Sequence, residues 1–586
     1  MSDQAELPRY TPDQFAADGM SECDMIMKGG ITSGVVYPYA VLEIATRHRL
    51  RSLGGTSAGA IAAAFAAAAE YARRGGDPAG YVRLQERCDA LPELLPSLFQ
   101  PAPALAPAVD AAREVAALRR GTGAVAAYAW RHAGLAALAC GAGAALLAWW
   151  LGGEVASVVL AGLLALFVAL VGLVVRQVLT RLVRPLRRAV RDAEAHGFGF
   201  CPGPTQPGRD GPGLTDWLHA SLQYIAFGDE AHGPPLTFGD LAGQEGQVPI
   251  ELRMVTTNLS MRRPHTLPRL GFTAGFEPER WARLFPAAVM DHLTATCAPW
   301  TAQPGTLKFP AESALPVIVA VRMSLSFPVL FTTVELHVDD HELPKVLQSL
   351  GAAPSRQVRK AHFSDGGLSS NFPVHLFDAP LPSRPTFAFS LDALDWDPAG
   401  VRRRVALPDS AAQGTGGRIK KIEDLAAFGW QVLDSAKDWQ DQLTSQLAGQ
   451  RERVVHIYLD TDEGGLNLSM PPERSRRLMR YGLEAGQAFN ASFDFDEHRW
   501  RRLVVFYKAM GQKLDALASG WPEFAQWYAG YRQQVRSFKG IAADDRRDMA
   551  VNLDALLAAW TAGPRVRTEA RSFPRTPVRE RINPDY

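Results

Sequence analysis

The chain of 586 residues is short of the features that mark several protein classes. Its five cysteines, Cys23, Cys88, Cys140, Cys201 and Cys297, are scattered, odd in number and without metal-ligand spacing, which suits a reducing cytoplasm. Net charge is nearly absent: 62 Lys and Arg against 61 Asp and Glu give +1, so nothing draws the whole molecule toward nucleic acid. Residues 1–20 are polar and contain no apolar signal core, so secretory export is not expected. There is no internal repeat, and no glycine turn ends in the Gly-Lys-Ser/Thr of a phosphate loop. Neither a metal nor a cofactor is expected.

What is present begins with Gly55-Thr56-Ser57-Ala58-Gly59. A serine between spaced glycines can be held on a strand-to-helix turn too sharp for ordinary residues. The stretch 49–54 reads as a strand end, and 60–73 is alanine-rich and free of breakers, so the context of a nucleophile elbow is there. Small residues at Gly55 and Gly59 let strand and helix approach closely, and the helix N-terminus sets its dipole beside the serine. Such clusters also occur in turns that catalyse nothing.

Three further segments bear on the choice. Upstream, Asp24-Met25-Ile26-Met27 reads as a buried strand running into Lys28-Gly29-Gly30-Ile31-Thr32-Ser33-Gly34, whose amides can form a nest for an oxyanion, or simply a glycine turn. Downstream, Phe363-Ser364-Asp365-Gly366-Gly367 follows a strand and leads into Leu368-Ser369-Ser370-Asn371-Phe372-Pro373. Its carboxylate is placed either to take a proton from Ser57 or to cap a turn. The segment Met323-Ser324-Leu325-Ser326-Phe327-Pro328-Val329-Leu330-Phe331 is suited to wall one side of an acyl pocket.

In this order the segments resemble the patatin-like phospholipase family, lipid acyl hydrolases that use a Ser-Asp dyad. The resemblance covers roughly residues 23–74 and 249–391, with a weaker echo at 454–470. It implies Ser57 as nucleophile, Asp365 as its base and the amides of Gly29, Gly30 and Ile31 as oxyanion donors, framed by the motif glycines Gly55, Gly59, Gly366 and Gly367. The family usually has a third glycine where Ile31 stands and a basic residue at Ser33; a side chain at Ile31 keeps the N–H but restricts its aim. The implied chemistry is cleavage of glycerophospholipid esters through an acyl-serine. A carboxylate of ordinary pKa near about 4 is a weak base for serine, so the site is expected to be buried.

Two competing readings are a Ser-His-Asp hydrolase drawing on His362, His375 or His456, and an inactive binding or signalling module. Chain order disfavours the triad, because Asp365 followed by His375 leaves little sequence for an intervening strand and loop. Retention of both Ser57 and Asp365 disfavours the inactive module. A tethered esterase or thioesterase on other substrates is a nearer alternative.

Two apolar runs, 133–150 and 155–175, are separated by Leu151-Gly152-Gly153-Glu154 and approach the roughly 20 residues that span a bilayer. Arg113, Arg119, Arg120 and Arg131 precede them, and Arg176, Arg181, Arg184, Arg187, Arg188 and Arg191 follow, which predicts a hairpin with both ends in the cytoplasm. The alternative is a buried helical hairpin. The lipid bilayer is thus the expected partner, with membrane localisation and a cytoplasmic catalytic domain.

The fold expected is α/β, a three-layer patatin-like catalytic domain interrupted by this hairpin. Residues 1–20 form a polar lead, 21–110 and 196–470 the two parts of the catalytic domain, 111–195 the helical insertion, 471–567 a C-terminal helical region and 568–586 an extended tail. Strands are expected at 251–257, 316–321, 358–363, 386–391 and 454–459, and 197–213 as a flexible return.

Overall fold

The computed structural model describes residues 6–30, 32–107, 109, 138–152, 154–177, 180, 184–355, 357–394, 401, 403–408, 422, 449–460, 463–465, 467–468, 470–564, 566 and 568, with scattered positions between 425 and 445. Ile31, the arginines from Arg113 to Arg131, Arg181 and the tail beyond 568 lie outside these residues.

Thirteen strands are formed among the described residues. In chain order they are β1 (Ser21–Met27), β2 (His48–Gly55), β3 (Gly199–Cys201), β4 (Glu251–Asn258), β5 (Arg263–Leu267), β6 (Ala274–Phe276) and β7 (Leu307–Lys308). There follow β8 (Val329–Phe331), β9 (Val334–Asp339), β10 (Val358–Asp365), β11 (Thr386–Ala393), β12 (Val405–Ala406) and β13 (Val454–Leu459). Eleven of them make one mixed sheet in the order β12-β13-β11-β1-β2-β4-β10-β9-β6-β7, with β5 paired to β4. The strands β13, β11, β1, β2 and β4 are parallel, and β4 meets β10 antiparallel. The chain is therefore mixed α/β. Met25, Ile26 and Met27 are fully buried, as a central parallel strand covered on both faces requires.

In sequence β2 and β4 are separated by nearly two hundred residues, yet they are neighbours with Gly55 opposite Met254. The intervening chain leaves the sheet and returns. Within it, helix Val155–Gln177 is long and apolar enough to cross a membrane, while helix Leu138–Trp150 is shorter. The two pack through small residues: a Cβ on Gly141 would sit 2.9 Å from Leu166 Cβ, and one on Gly162 would sit 3.0 Å from Ala145 Cβ. Leu160, Leu163, Leu164, Phe167 and Val168 stay exposed.

The stretch 197–213 is held, not loose. Here β3 pairs with β8 in a small parallel sheet, and Gly213 N–H donates to Thr205 Oγ1 at 2.9 Å. Its glycines serve turns, Gly203 at φ 120° among them.

A second correction concerns 316–321, expected as a strand. It is helix Val317–Ser324, begun after Pro316. Residues 317–321 are buried on every side, so the apolar run carries no period that would separate helix from strand.

The C-terminal region is helical as expected, with Pro472–Ser492, Phe495–Tyr531 and Ala543–Ala562. The second of these runs unbroken over 37 residues with Pro522 inside it. Helix Pro472–Ser492 lies on helix Tyr37–Ala45 and on β13, where a Cβ at Gly482 would fall 1.8 Å from Val36 O.

Candidate active site

Ser57 stands between β2 and helix Ala58–Arg74 at φ 54° and ψ −126°. A non-glycine residue in that region is strained, and such strain persists only where the surroundings impose it. Gly59 is part of that imposition. A Cβ there would lie 2.3 Å from Met27 O, so only glycine lets the first turn of the helix press against the end of β1. A Cβ on Gly55 would in turn meet Gly59 backbone at 2.5 Å.

Asp365 ends β10 and caps the short turn after it, its Oδ1 accepting Gly367 N–H at 2.7 Å. Thr256 of β4 is its partner across the sheet, two positions past the Met254 that faces Gly55. The Asp-Gly-Gly turn is seated equally tightly: a Cβ on Gly366 would fall 2.0 Å from Val255 O. Ser57 and Asp365 are both 3% exposed. The sheltered setting expected of the pair is present.

Two connections bring the serine and aspartate segments to one place. The first runs through the end of helix Val317–Ser324. Ser57 N–H donates to Ser324 Oγ at 3.1 Å, and that hydroxyl donates to Val255 O at 2.6 Å. Two residues on, Ser326 O accepts Asp365 N–H at 2.9 Å and Ser364 Oγ at 2.7 Å. The second runs through Asn371. Its carbonyl accepts Gly29 N–H at 2.8 Å and Thr56 Oγ1 at 3.0 Å, while its side-chain oxygen lies 2.8 Å from where a Gly367 Cβ would be. Ser324, Thr56 and Asn371 carried no assigned role in the sequence. All are small polar residues beside the motif, and only the fold reveals which of them reach across. Ser57 Oγ makes no hydrogen bond with a described residue.

The oxyanion loop differs from expectation in one respect. Gly29 cannot present its N–H, because Asn371 O already accepts it. Gly30 O accepts Ala58 N–H at 3.2 Å, and Gly30 N–H has no partner among the described residues. Ile31 lies outside them. Beyond it Thr32 is tied to Gly465, its N–H and hydroxyl both donating to Gly465 O.

Behind the loop, Lys28 Nζ is 3.5 Å from Asp392 Oδ1, and His456 Nδ1 is 2.7 Å from Asp392 Oδ2. Burial alone would raise the Asp392 pKa; Lys28, His456 and Ser390 outweigh it and hold the carboxyl well below the usual carboxylate range. Ser57, Asp392 and His456 follow the chain order of a conventional triad. However, β13, which carries His456, is three strands from β2, about 14 Å at ordinary strand spacing. His362 is no better placed. It shares β10 with Asp365 at odd separation and so faces the other side, where Nδ1 lies 3.1 Å from Thr333 Oγ1 and the ring meets Phe198 edge-on. Burial lowers the pKa of both His362 and His375.

Arg322 underlies the site. It is fully buried, with Nη1 donating to Ser326 Oγ and Nη2 to Pro202 O and Thr332 O, both at 2.9 Å. Burial pushes its pKa down to about 10. A cavity of about 400 Å³ lined by His196, Gln206, Arg280, Arg283 and Glu335 contains neither Ser57 nor Asp365.

The pattern of patatin-like phospholipases matches residues 208–378, which takes in the Asp365 turn. The chain is also 37% identical over 549 residues to the RpoH suppressor of Rhizobium meliloti (strain 1021), covering 82% of this chain and 85% of that protein. The chain belongs to the patatin-like phospholipase family. Among solved structures this patatin-like chain aligns with VipD from Legionella pneumophila at 13% identity and a TM-score of 0.27, over 92% of this chain and 88% of that one. That similarity is too slight to bear on fold or function.

Proposed function

We propose that this patatin-like protein is a membrane-tethered serine acyl hydrolase that cleaves carboxylic esters of glycerophospholipids, with Ser57 and Asp365 as its dyad. The observation that carries the reading is a buried serine on a strained strand-to-helix turn whose own amide, and that of the buried aspartate, are fixed by one segment, Ser324 to Ser326. Such an arrangement orients both groups before substrate arrives.

In the first half-reaction Ser57 Oγ attacks the ester carbonyl as its proton passes to Asp365. Negative charge gathers on the former carbonyl oxygen, for which Gly30 N–H and the Ile31 amide are the proposed donors. Collapse breaks the ester C–O bond; the leaving alcohol takes the proton from Asp365 and acyl-serine remains. Water then gives its proton to Asp365 and attacks the acyl carbon, and collapse returns the proton to Ser57 Oγ and frees the fatty acid.

The tether rests on helix Val155–Gln177, which exposes Leu160, Leu163, Leu164, Phe167 and Val168, and on its close partner Leu138–Trp150. Small residues at the contact, Gly141, Ala145 and Gly162, are what helices in lipid use to approach. Holding the hydrolase at the bilayer raises its local substrate concentration without any new contact. We place the catalytic domain on the cytoplasmic side, since Arg176, Arg184, Arg187 and Arg191 follow the span. The helices around the sheet are read as two outer layers of a three-layer fold.

The test is lipid profiling of membranes incubated with the wild-type protein and with Ser57→Ala. Release of free fatty acid and lysophospholipid by the wild type alone supports the proposal. Hydrolysis of simple esters with intact phospholipid would favour the tethered esterase, and absence of both, with no fluorophosphonate labelling, would favour an inactive module.

A further inference from the structure

The tip of the β4–β5 hairpin reads Leu259-Ser260-Met261-Arg262, followed by Arg263. It joins strands at the end of the sheet where Ser57 and Asp365 lie. Asn258 closes the pairing of β4 with β5, and Leu259 is three positions past the Thr256 that faces Asp365, about 10 Å along the strand. Leu259 is 44% and Met261 38% exposed, and Arg262 and Arg263 are exposed beside them.

Two other exposed apolar residues come to the same place from elsewhere in the chain. Phe198, 48% exposed, lays its ring against His362, whose backbone N–H donates to Ser260 Oγ and whose carbonyl accepts Leu259 N–H. Val329, 61% exposed, lies opposite Gly199 in the β3–β8 pair. The backbone singles out these positions as well. Phe198, Arg262 and Val329 have φ of 59°, 56° and 69°, and with Ser57 and Phe538 they are the non-glycine residues at positive φ among the described residues. For a β-branched valine that conformation is an outlier that only its surroundings can impose.

The patch follows the basic helix Arg184–Arg191 closely in sequence. Phe198 follows Arg191 by seven residues, a span of at most about 25 Å, and the helix ending there exposes Arg184, Arg187 and Arg191. Apolar tips ringed by arginine fit a surface that is greasy below and negative above.

We propose that Phe198, Leu259, Met261 and Val329 form a rim that dips into an anionic lipid surface, with Arg262 and Arg263 on its headgroups, seating the Ser57 end of the sheet against the bilayer. The inference deepens the lipid hydrolase reading and rests on it. The hairpin keeps the protein at the membrane; the rim sets which end of the catalytic domain faces it.

The test uses the full chain with Cys140→Ser and Cys297→Ser, which removes the accessible thiols and leaves the buried Cys23, Cys88 and Cys201. A nitrobenzoxadiazole label is placed at Met261→Cys or at Val248→Cys. Val248 is an exposed residue shortly before the opposite end of β4 begins at Glu251. In vesicles of phosphatidylcholine with phosphatidylglycerol, the label at 261 is expected to shift to the blue and brighten about twofold or more, as groups entering the headgroup–acyl boundary do. The label at 248 stays unchanged. Arg262→Glu with Arg263→Glu should remove most of the response at 261.

A silent 261 label in protein that co-floats with the vesicles overturns the rim, and so does an equal response at both positions. Brightening with protein concentration in the absence of lipid would mark a second copy as the occupant and overturn it also. Failure to co-float refutes tether and rim together. Fluorophosphonate labelling of Ser57 in the same samples reports separately on the hydrolase reading.

Discussion

Ser324 Oγ accepts the backbone N–H of Ser57 and donates its own O–H to Val255 O, so one hydroxyl links the elbow to the strand that carries Asp365's partner. The N–H it occupies belongs to a buried residue at positive φ, where no helix or strand offers an acceptor. Ser324→Ala therefore leaves a buried donor and a buried carbonyl unsatisfied, at a cost of about 1–3 kcal/mol. Urea unfolding should show that loss. Fluorophosphonate labelling of the folded variant should also slow, because the turn that aims Ser57 is no longer held. Unchanged stability and unchanged labelling together would show that the bridge holds nothing.

The dyad predicts a particular pattern of losses. Asp365→Asn removes the proton acceptor yet can keep the bond to Gly367 N–H, so it should fold and lose turnover about as fully as Ser57→Ala. His362→Ala should keep most of its turnover, since that ring faces Thr333 and Phe198 and not the aspartate. Initial rates on a short-chain soluble ester decide the matter without membrane effects. High residual activity in Asp365→Asn, or collapse in His362→Ala, would turn attention back to a histidine base.

How far the sequence reached depended on the kind of signal each residue gave. The elbow, the glycine loop and the Asp-Gly-Gly turn are local: β2, helix Ala58–Arg74 and β10 lie where glycine spacing and apolar runs predict, and β13 matches its expected span of 454–459. Residues 317–321 misled because complete burial erases periodicity, and β-branched residues then favour a strand reading. Contacts that assemble the site are of another kind. Nothing in the text of Ser324 or Asn371 tells which groups they will meet 267 and 315 positions away. The occupation of Gly29 N–H by Asn371 O, which alters the choice of oxyanion donors, is likewise a product of the fold alone.

Arg322 predicts a long-range effect. Its guanidinium joins Ser326, next to the Asp365 contact, to Pro202 and Thr332 in the β3–β8 region, and no carboxylate faces it among the described residues. Arg322→Met leaves three acceptors without donors and should destabilise the protein by about 3 kcal/mol or more. Arg322→Lys keeps the charge but not the planar fork, and cannot reach all three. The lysine variant should therefore fold less stably than the wild type and turn over soluble ester more slowly. Wild-type stability and rate in Arg322→Lys would reduce the residue to simple packing.

The helical hairpin makes the last prediction. Removing residues 138–177 takes out the exposed apolar helix Val155–Gln177 and its partner while leaving every strand of the large sheet in place. If that helix is the tether, the shortened protein should leave the membrane fraction and stay in the supernatant after vesicle flotation. Its labelling by fluorophosphonate should persist, because the contacts from Ser324 and Asn371 to the elbow lie outside the deleted stretch. Activity on vesicles should fall much more than activity on a soluble ester, since only the former depends on local concentration. Continued flotation with lipid would locate the anchor elsewhere. Loss of labelling together with solubility would instead mean that the hairpin is part of the catalytic domain's own core, and the exposure of Leu160, Leu163, Leu164 and Phe167 makes that the less favoured outcome.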